Sequence, residues 1–284
     1  MPLLDSAKAL LDRPALRPFL IPLATCLARA QKKGVRKIFC DDRIWIHETT
    51  RGYFAYHQPF IRLDMARMDE LARVNFLWGY QPQPGHVVID VGAGVGEKAL
   101  TFSCALGPAG KLVCIEAHPR TYRCLELLVR YNRLANVIPL HRAVTETPSG
   151  IVIIEDSGSY LSNRLNPAKG IPVPATTIDA LHRKLGLGRV HFLKMNIEGA
   201  ERFAIRGMSE TLKQTEVLCV SCHDSLAEVT GDDTLRTKNQ VREFFQQNGI
   251  EVRERIGPSL PPYIRDQLWG YNQQLLHMKV KTAS

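Results

Sequence analysis

The sequence predicts an α/β chain in which a doubly wound, mostly parallel sheet follows an N-terminal helix and β-hairpin extension. Three observations carry this expectation. Apolar runs of strand length alternate with segments of helix length from Gly85 onward. The first such run ends in a glycine-rich turn that opens a helix. The composition, 45% hydrophobic and 23% charged over 284 residues, suits a globular chain that buries one principal core.

The N-terminal run Phe19–Ala28 is too short to span a bilayer, which needs ~20 apolar residues. Asp5 and Asp12 before it, and Pro18 and Pro22 around it, make a poor secretory signal. From Arg13 to Lys37 there are seven basic residues and no acidic ones, so the segment reads either as a solvated helix on the body or as a peripheral membrane or lipid contact. The β-like runs between Ile38 and Tyr56 predict a hairpin. Apolar residues at Ile61, Met65, Met68, Leu71, Ala72 and Phe76 predict a helix between Pro59 and Tyr80. Gln81-Pro-Gln-Pro-Gly85 then marks a boundary between an extension, 1–84, and a main domain, 85–284.

Beyond it the pattern predicts strand His86–Val91, helix Gly96–Leu106, strand Lys111–Glu116, helix Pro119–Leu134 and strand Val137–His141. The β-like runs Ile151–Glu155 and Ile171–Thr176 interrupt the alternation around a polar segment, Asp156–Asn163. It resumes with helix Ile178–Leu185, strand Val190–Asn196, helix Ala200–Lys213, strand Val217–Cys222, helix Thr237–Asn248 and strand Ile250–Glu254.

A net charge of +9 favours acidic partners such as nucleic acid, anionic lipid or phosphorylated substrates without choosing among them. Seven scattered cysteines do not form the framework of a secreted domain, and a reducing, cytoplasmic setting is expected. Cys219 and Cys222 form a lone CxxC in an apolar run and read as core residues, since structural zinc needs four ligands.

The informative stretch is Val87–Gly96, VVIDVGAGVG, in which a strand with Asp90 leads into Gly92, Ala93, Gly94 and Gly96. A dinucleotide fingerprint requires a third glycine where this chain has Glu97, and a carboxylate there disfavours pyrophosphate. Asp90 and Glu97 together favour a cationic, phosphate-free nucleoside, a description S-adenosylmethionine fits. Glu116, ending the second strand, is placed to accept hydrogen bonds from ribose hydroxyls.

With these residues the chain resembles the class I S-adenosylmethionine-dependent methyltransferases, and more closely the FkbM family, over roughly Gly85 to Val252. The resemblance rests on VIDVGAGVG, CIEAHP at Glu116, HRAV at Ala143, TTIDAL around Asp179 and FLKMNIEGAE at Phe192–Glu201. It implies a Rossmann-like methyltransferase sheet, a cofactor site that includes Ala143, and methyl transfer to oxygen, commonly a hydroxyl of a sugar or natural product. Asn196 stands where the family usually carries Asp, which leaves a divalent metal or base chemistry there open.

Residues beyond the carboxyl ends of the strands are the catalytic candidates. These are Asn196 and Glu198 after the fourth strand and His223 and Asp224 after the fifth. His223, with an ordinary pKa near ~6.5, is the expected base that takes the hydroxyl proton, against a purely structural strand-end role. Glu198 is either catalytic or a cap of the following helix. Glu201 reads as structural and Lys194 as a paired core lysine. LPPY at Leu260–Tyr263 resembles the signature of amino-group methyltransferases, but it stands far from the fourth strand and is set aside. The N-terminal region and Asp156–Asn163 are expected to shape the acceptor pocket. The reading is an O-methyltransferase for a sugar, glycolipid or secondary metabolite; nucleic acid is disfavoured for want of an aromatic-rich RNA motif. An RNA-modifying methyltransferase and a non-catalytic binding protein are the alternatives.

Overall fold

The computed structural model describes residues 13–60, 63–156, 170–257 and 259–282. Helix α1, Arg17–Ala30, leads into strands β1 (Val35–Asp41), β2 (Ile44–Thr49) and β3 (Gly52–Tyr56). These pair antiparallel in sequence order, so the expected hairpin is a three-stranded meander. Helix α2 runs over Met65–Phe76 only, shorter than the apolar spacing suggests, because Asp64 caps it by accepting the Arg67 N–H at 3.2 Å.

The main sheet comprises β4 (Val87–Val91), β5 (Lys111–Glu116), β6 (Val137–His141), β10 (Val190–Met195), β11 (Thr215–Ser221), β12 (Glu251–Arg253) and β13 (Gln267–Tyr271). Their order is β12-β13-β11-β10-β4-β5-β6. β13 runs antiparallel between β11 and β12, and the other neighbours are parallel. The order reverses at β4 and β10, which creates the crevice where α/β sheets bind ligands.

Side chains alternate between two buried cores, as the strand period of two requires. Val88, Phe192 and Cys219 face one core, while Ile89, Leu193 and Val220 face the other. Helices α3 (Ala99–Leu106) and α4 (Pro119–Tyr131) cover the first face. On the second lie α5 (Ile178–Leu185), the short helices α6 (Glu201–Ala204) and α7 (Ser209–Lys213), and α9 (Lys238–Gln247). Burial on both faces explains why these strands read as nearly continuous apolar runs. The meander shares the first core: Ile38, Trp45 and Phe54 pack in one cluster with Leu112, Phe192 and Trp269. The Asn132 side chain binds β3 as a strand would, accepting the Tyr53 N–H at 2.8 Å and donating to the Tyr53 carbonyl at 2.7 Å.

Several elements differ from the sequence expectation. The run after Asn196 does not form one helix over Ala200–Lys213 but two short ones joined by a 3₁₀ turn at Ile205–Gly207. There Gly207 lies against the Thr145 carbonyl, closer than any side chain allows. Helix α3 starts at Ala99, after the glycine turn. β8 (Ile151–Ile154) and β9 (Ile171–Thr176) leave the main sheet and pair antiparallel, with β7 (Ala143–Val144) beside β9. Sequence reading missed β13, helix α8 (Asp224–Thr230) before α9, α10 (Pro262–Arg265) and the C-terminal α11 (Gln273–Thr282). Among the described residues no helix is long and apolar enough to cross a membrane.

Candidate active site

The site is built at the carboxyl ends of β4, β5, β10 and β11. Between β4 and α3 the chain turns through Gly92 and Gly94 with φ of +73° and +61°. A Cβ on Gly92 would stand 2.0 Å from the Asn196 carbonyl oxygen, so only glycine lets the β4 and β10 ends approach this closely. A Cβ on Gly94 would instead meet nothing within 4 Å and would enter the open cleft. Gly94→Val is therefore expected to weaken binding of S-adenosylhomocysteine at least ~tenfold by adding bulk and left-handed strain, as calorimetric titration would measure; unchanged affinity would place the ligand elsewhere.

Two clefts meet here. The first is walled by Gly92, Ala93, Gly94, Glu116, His118 and Ala143, with Arg142 and Ile154 completing one side. Glu116 holds the turn: Oε2 accepts the Gly94 N–H and Oε1 accepts the His118 N–H, both at 2.9 Å. Burial pushes its carboxyl up, and these two amides oppose the shift. The second cleft, about 670 Å³, is walled by Met68, Leu71 and Phe76 of α2, by Val229 of α8 and Tyr263 of α10, and by His223 and Asp266. Glu97, Lys98, Asn196 and Glu198 border both clefts.

Asp90 and Gly96, expected to contact a cofactor, do not border either cleft. Asp90 is 1% exposed and lies 2.7 Å from Lys194 Nζ, which also donates to the Gly92 carbonyl at 2.7 Å. The acid thus fixes the turn through a buried ion pair. Gly96 faces α4, where a Cβ would stand 2.8 Å from Leu125 Cδ1. Gly92, Ala93, Gly94, Glu97, Glu116 and Ala143 do lie on the first cleft's wall.

Glu201, not Glu198, holds the turn that leads into α6, accepting the N–H groups of Ile197 and Gly199, both at 2.9 Å. Glu198 sits in the left-handed region at φ +53°, an uncommon conformation for a long side chain. It aims at His223, with Oε1 3.4 Å from Nε2, while Glu201 Oε1 lies 3.4 Å from Nδ1. Burial pushes the His223 imidazole down, but the two carboxylates outweigh it and hold the pKa up at about 10. Held charged in this way, His223 has no lone pair to accept a proton, which argues against its expected role as a neutral base. Asp224 caps α9 by accepting the Thr237 and Lys238 N–H groups, both at 3.1 Å.

Sequence reading missed Lys98, His118 and Arg142. Lys98 Nζ lies 4.9 Å from the Phe76 ring, and burial, aided by Lys194, pushes its amine down from the ordinary lysine value. Its signal was its place, directly after Glu97 in the turn. His118 is buried, with Nε2 3.2 Å from Asp156 Oδ1, and it belongs to the CIEAHP stretch. LPPY, set aside on sequence position, returns in space, since Pro262 and Tyr263 line the second cleft. The N-terminal part of the expected acceptor wall is α2; of Asp156–Asn163, residues 157–163 lie outside the described residues. Cys219 and Cys222 are buried in the core, and no group of three or more metal-ligating side chains occurs among the described residues.

Residues 90–252 match the methyltransferase FkbM domain model, which is more than half of the chain. The chain belongs to the FkbM methyltransferase family. It is thus an S-adenosylmethionine-dependent methyltransferase of the Rossmann-like fold. The first cleft fits that cofactor: Gly94 leaves open space, Glu116 carries carboxylate oxygens at the wall, and Glu97 adds negative charge. Among solved structures, similarity extends to the FkbM methyltransferase of Methylobacillus flagellatus KT (15% identity, TM-score 0.48), covering 75% of this chain and 51% of that one. Aeropyrum pernix fibrillarin with natively bound S-adenosyl-L-methionine is also similar (15%, TM-score 0.43), covering 84% of this chain and 98% of that one. An S-adenosylmethionine-dependent methyltransferase from Aquifex aeolicus (16%, TM-score 0.41) covers 74% and 98%. No curated protein matches the chain.

Proposed function

We propose that this FkbM methyltransferase methylates a hydroxyl oxygen of a sugar, glycolipid or secondary metabolite. The observation that carries the reading is the wall shared by the two clefts, with the Glu198–His223 pair on its acceptor side. When bound, S-adenosylmethionine supplies a methyl group on a positively charged sulfur, which an acceptor oxygen in line with that bond displaces. Glu116 holds the nucleoside end and Glu97 favours its positive charge. Lys98, driven toward the neutral amine, limits the opposing charge at the same place.

On the acceptor side Glu198 takes the hydroxyl proton as the oxygen–carbon bond forms. His223, held charged, orients the Glu198 carboxylate, and Glu201 fixes His223 from the other side. Asn196 offers an amide at the same wall to orient the acceptor oxygen. Met68, Leu71, Phe76, Val229 and Tyr263 suit an acceptor with an apolar or ring portion beside its hydroxyl.

The test is incubation of the protein with S-adenosylmethionine and two acceptor sets, hydroxylated glycosides or glycolipids and structured RNA, following S-adenosylhomocysteine release and product mass. A gain of one methyl on a hydroxylated small molecule is expected. Turnover with RNA alone would overturn the substrate class, and binding without turnover on any acceptor would favour the non-catalytic reading.

A further inference from the structure

Helix α1 carries apolar side chains on two adjoining faces. Ala24 and Ala28 are buried, and Leu20 and Ile21 pack against the core, so one face holds the helix to the body. Phe19, Leu23 and Leu27, each four residues apart, form a stripe on another face and are 77%, 55% and 42% exposed. Single exposed apolar residues are ordinary, but three aligned along a docked helix form a patch.

Along the sequence the charge flanking that stripe has one sign, and of these cations Lys33 is paired in space, with Asp64 at 2.7 Å. Arg13 to Lys37 contains seven basic residues and no acidic one. Arg13 precedes the helix, while Arg29, Lys32, Arg36 and Lys37 follow the stripe, all exposed. The 14-residue helix is too short to cross a bilayer. An apolar stripe flanked by cations is instead the pattern of a helix lying in the plane of an anionic lipid surface, with its apolar side chains at the headgroup boundary and its cations on phosphates. A protein partner would need both an apolar groove and matching acidic flanks, whereas an anionic lipid surface supplies both features everywhere.

We propose that α1 docks this enzyme on the surface of an anionic phospholipid membrane. This inference does not depend on the identity of the methyl acceptor. The test is co-sedimentation of the full chain with phosphatidylcholine vesicles, with and without phosphatidylglycerol. Binding is expected only with phosphatidylglycerol and is expected to fall as salt rises. Leu23→Glu should weaken it at least ~tenfold. Lys32→Glu should weaken it by about fivefold or more, because one cation near such a surface is worth about that factor. Phe19→Ser is the second stripe variant. Unchanged thermal midpoint and S-adenosylhomocysteine affinity in these variants separate lost docking from lost folding. No binding to anionic vesicles, or equal binding by Leu23→Glu and the parent chain, overturns the proposal. A dimer seen by sedimentation velocity that Leu23→Glu dissociates, without vesicle binding, assigns the stripe to a second copy and overturns it too.

Discussion

Replacing Asp90 with alanine is expected to lower the unfolding free energy by about 3–5 kcal/mol, the usual cost of removing one partner from a buried ion pair. Asp90 and Lys194 are each 1% exposed and 2.7 Å apart. Without the acid, the Lys194 amine keeps the Gly92 carbonyl but loses its countercharge. Removing both charges together, as in Asp90→Leu with Lys194→Met, should recover much of the loss, because no uncompensated ion then remains buried. Urea unfolding of the parent chain and the two variants checks this. A single Asp90→Ala variant within ~0.5 kcal/mol of the parent chain would show that the pair does not hold the turn. Cofactor affinity should also fall in Asp90→Ala, although Asp90 borders neither cleft, because Lys194 tethers the Gly92 carbonyl in the turn.

Glu198→Gln should lower kcat by about 10²–10⁴, the range for loss of a positioned proton-transfer group, with a much smaller change in S-adenosylhomocysteine affinity. A glutamine keeps the size and the hydrogen-bonding oxygen but cannot accept the hydroxyl proton. Equal turnover would exclude Glu198 as the base. The pH dependence distinguishes this assignment from a His223 base. A neutral imidazole base would make turnover rise through ~6.5, its ordinary pKa. Here the two carboxylates hold the His223 pKa up at about 10, so turnover should show no inflection from His223 near 6.5 and should decline as pH approaches 10. The stability linkage has the same sign. Because the folded pKa is raised, the stabilisation by the charged imidazole is complete below 6.5, diminishes as pH rises above it, and is lost through about 10. Thermal midpoints of the parent chain and His223→Gln should therefore converge over that interval.

The legible and illegible parts of this protein differ in range along the chain. Strands Lys111–Glu116 and Val137–His141 and helix Ile178–Leu185 have the bounds the sequence predicts, because each is a local pattern with nearby stop signals. The parallel, doubly wound character of the sheet follows from the same alternation. The sequence predicts a hairpin where the structure has a three-stranded meander, and it gives no sign of β13. Five residues, Gln267–Tyr271, make a weak local signal, and their assignment depends on pairing with β11 and β12 from outside the alternation.

The sequence by itself determined the family, the doubly wound sheet, and the glycine turn with Glu116 facing it. These depend on backbone freedom, local period and strand ends, which a single stretch of chain encodes. Only the tertiary structure decided the division of labour among the charged residues. Asp90 and Lys194 are 104 positions apart in sequence, as are few contacts that local patterns can foresee, yet burial in one layer of the sheet commits them to each other. Glu201 holds the turn before α6, and with Glu198 it flanks His223 and holds the imidazole charged. A residue's charge state depends on the desolvation and countercharges around it, and those arise only when distant segments pack.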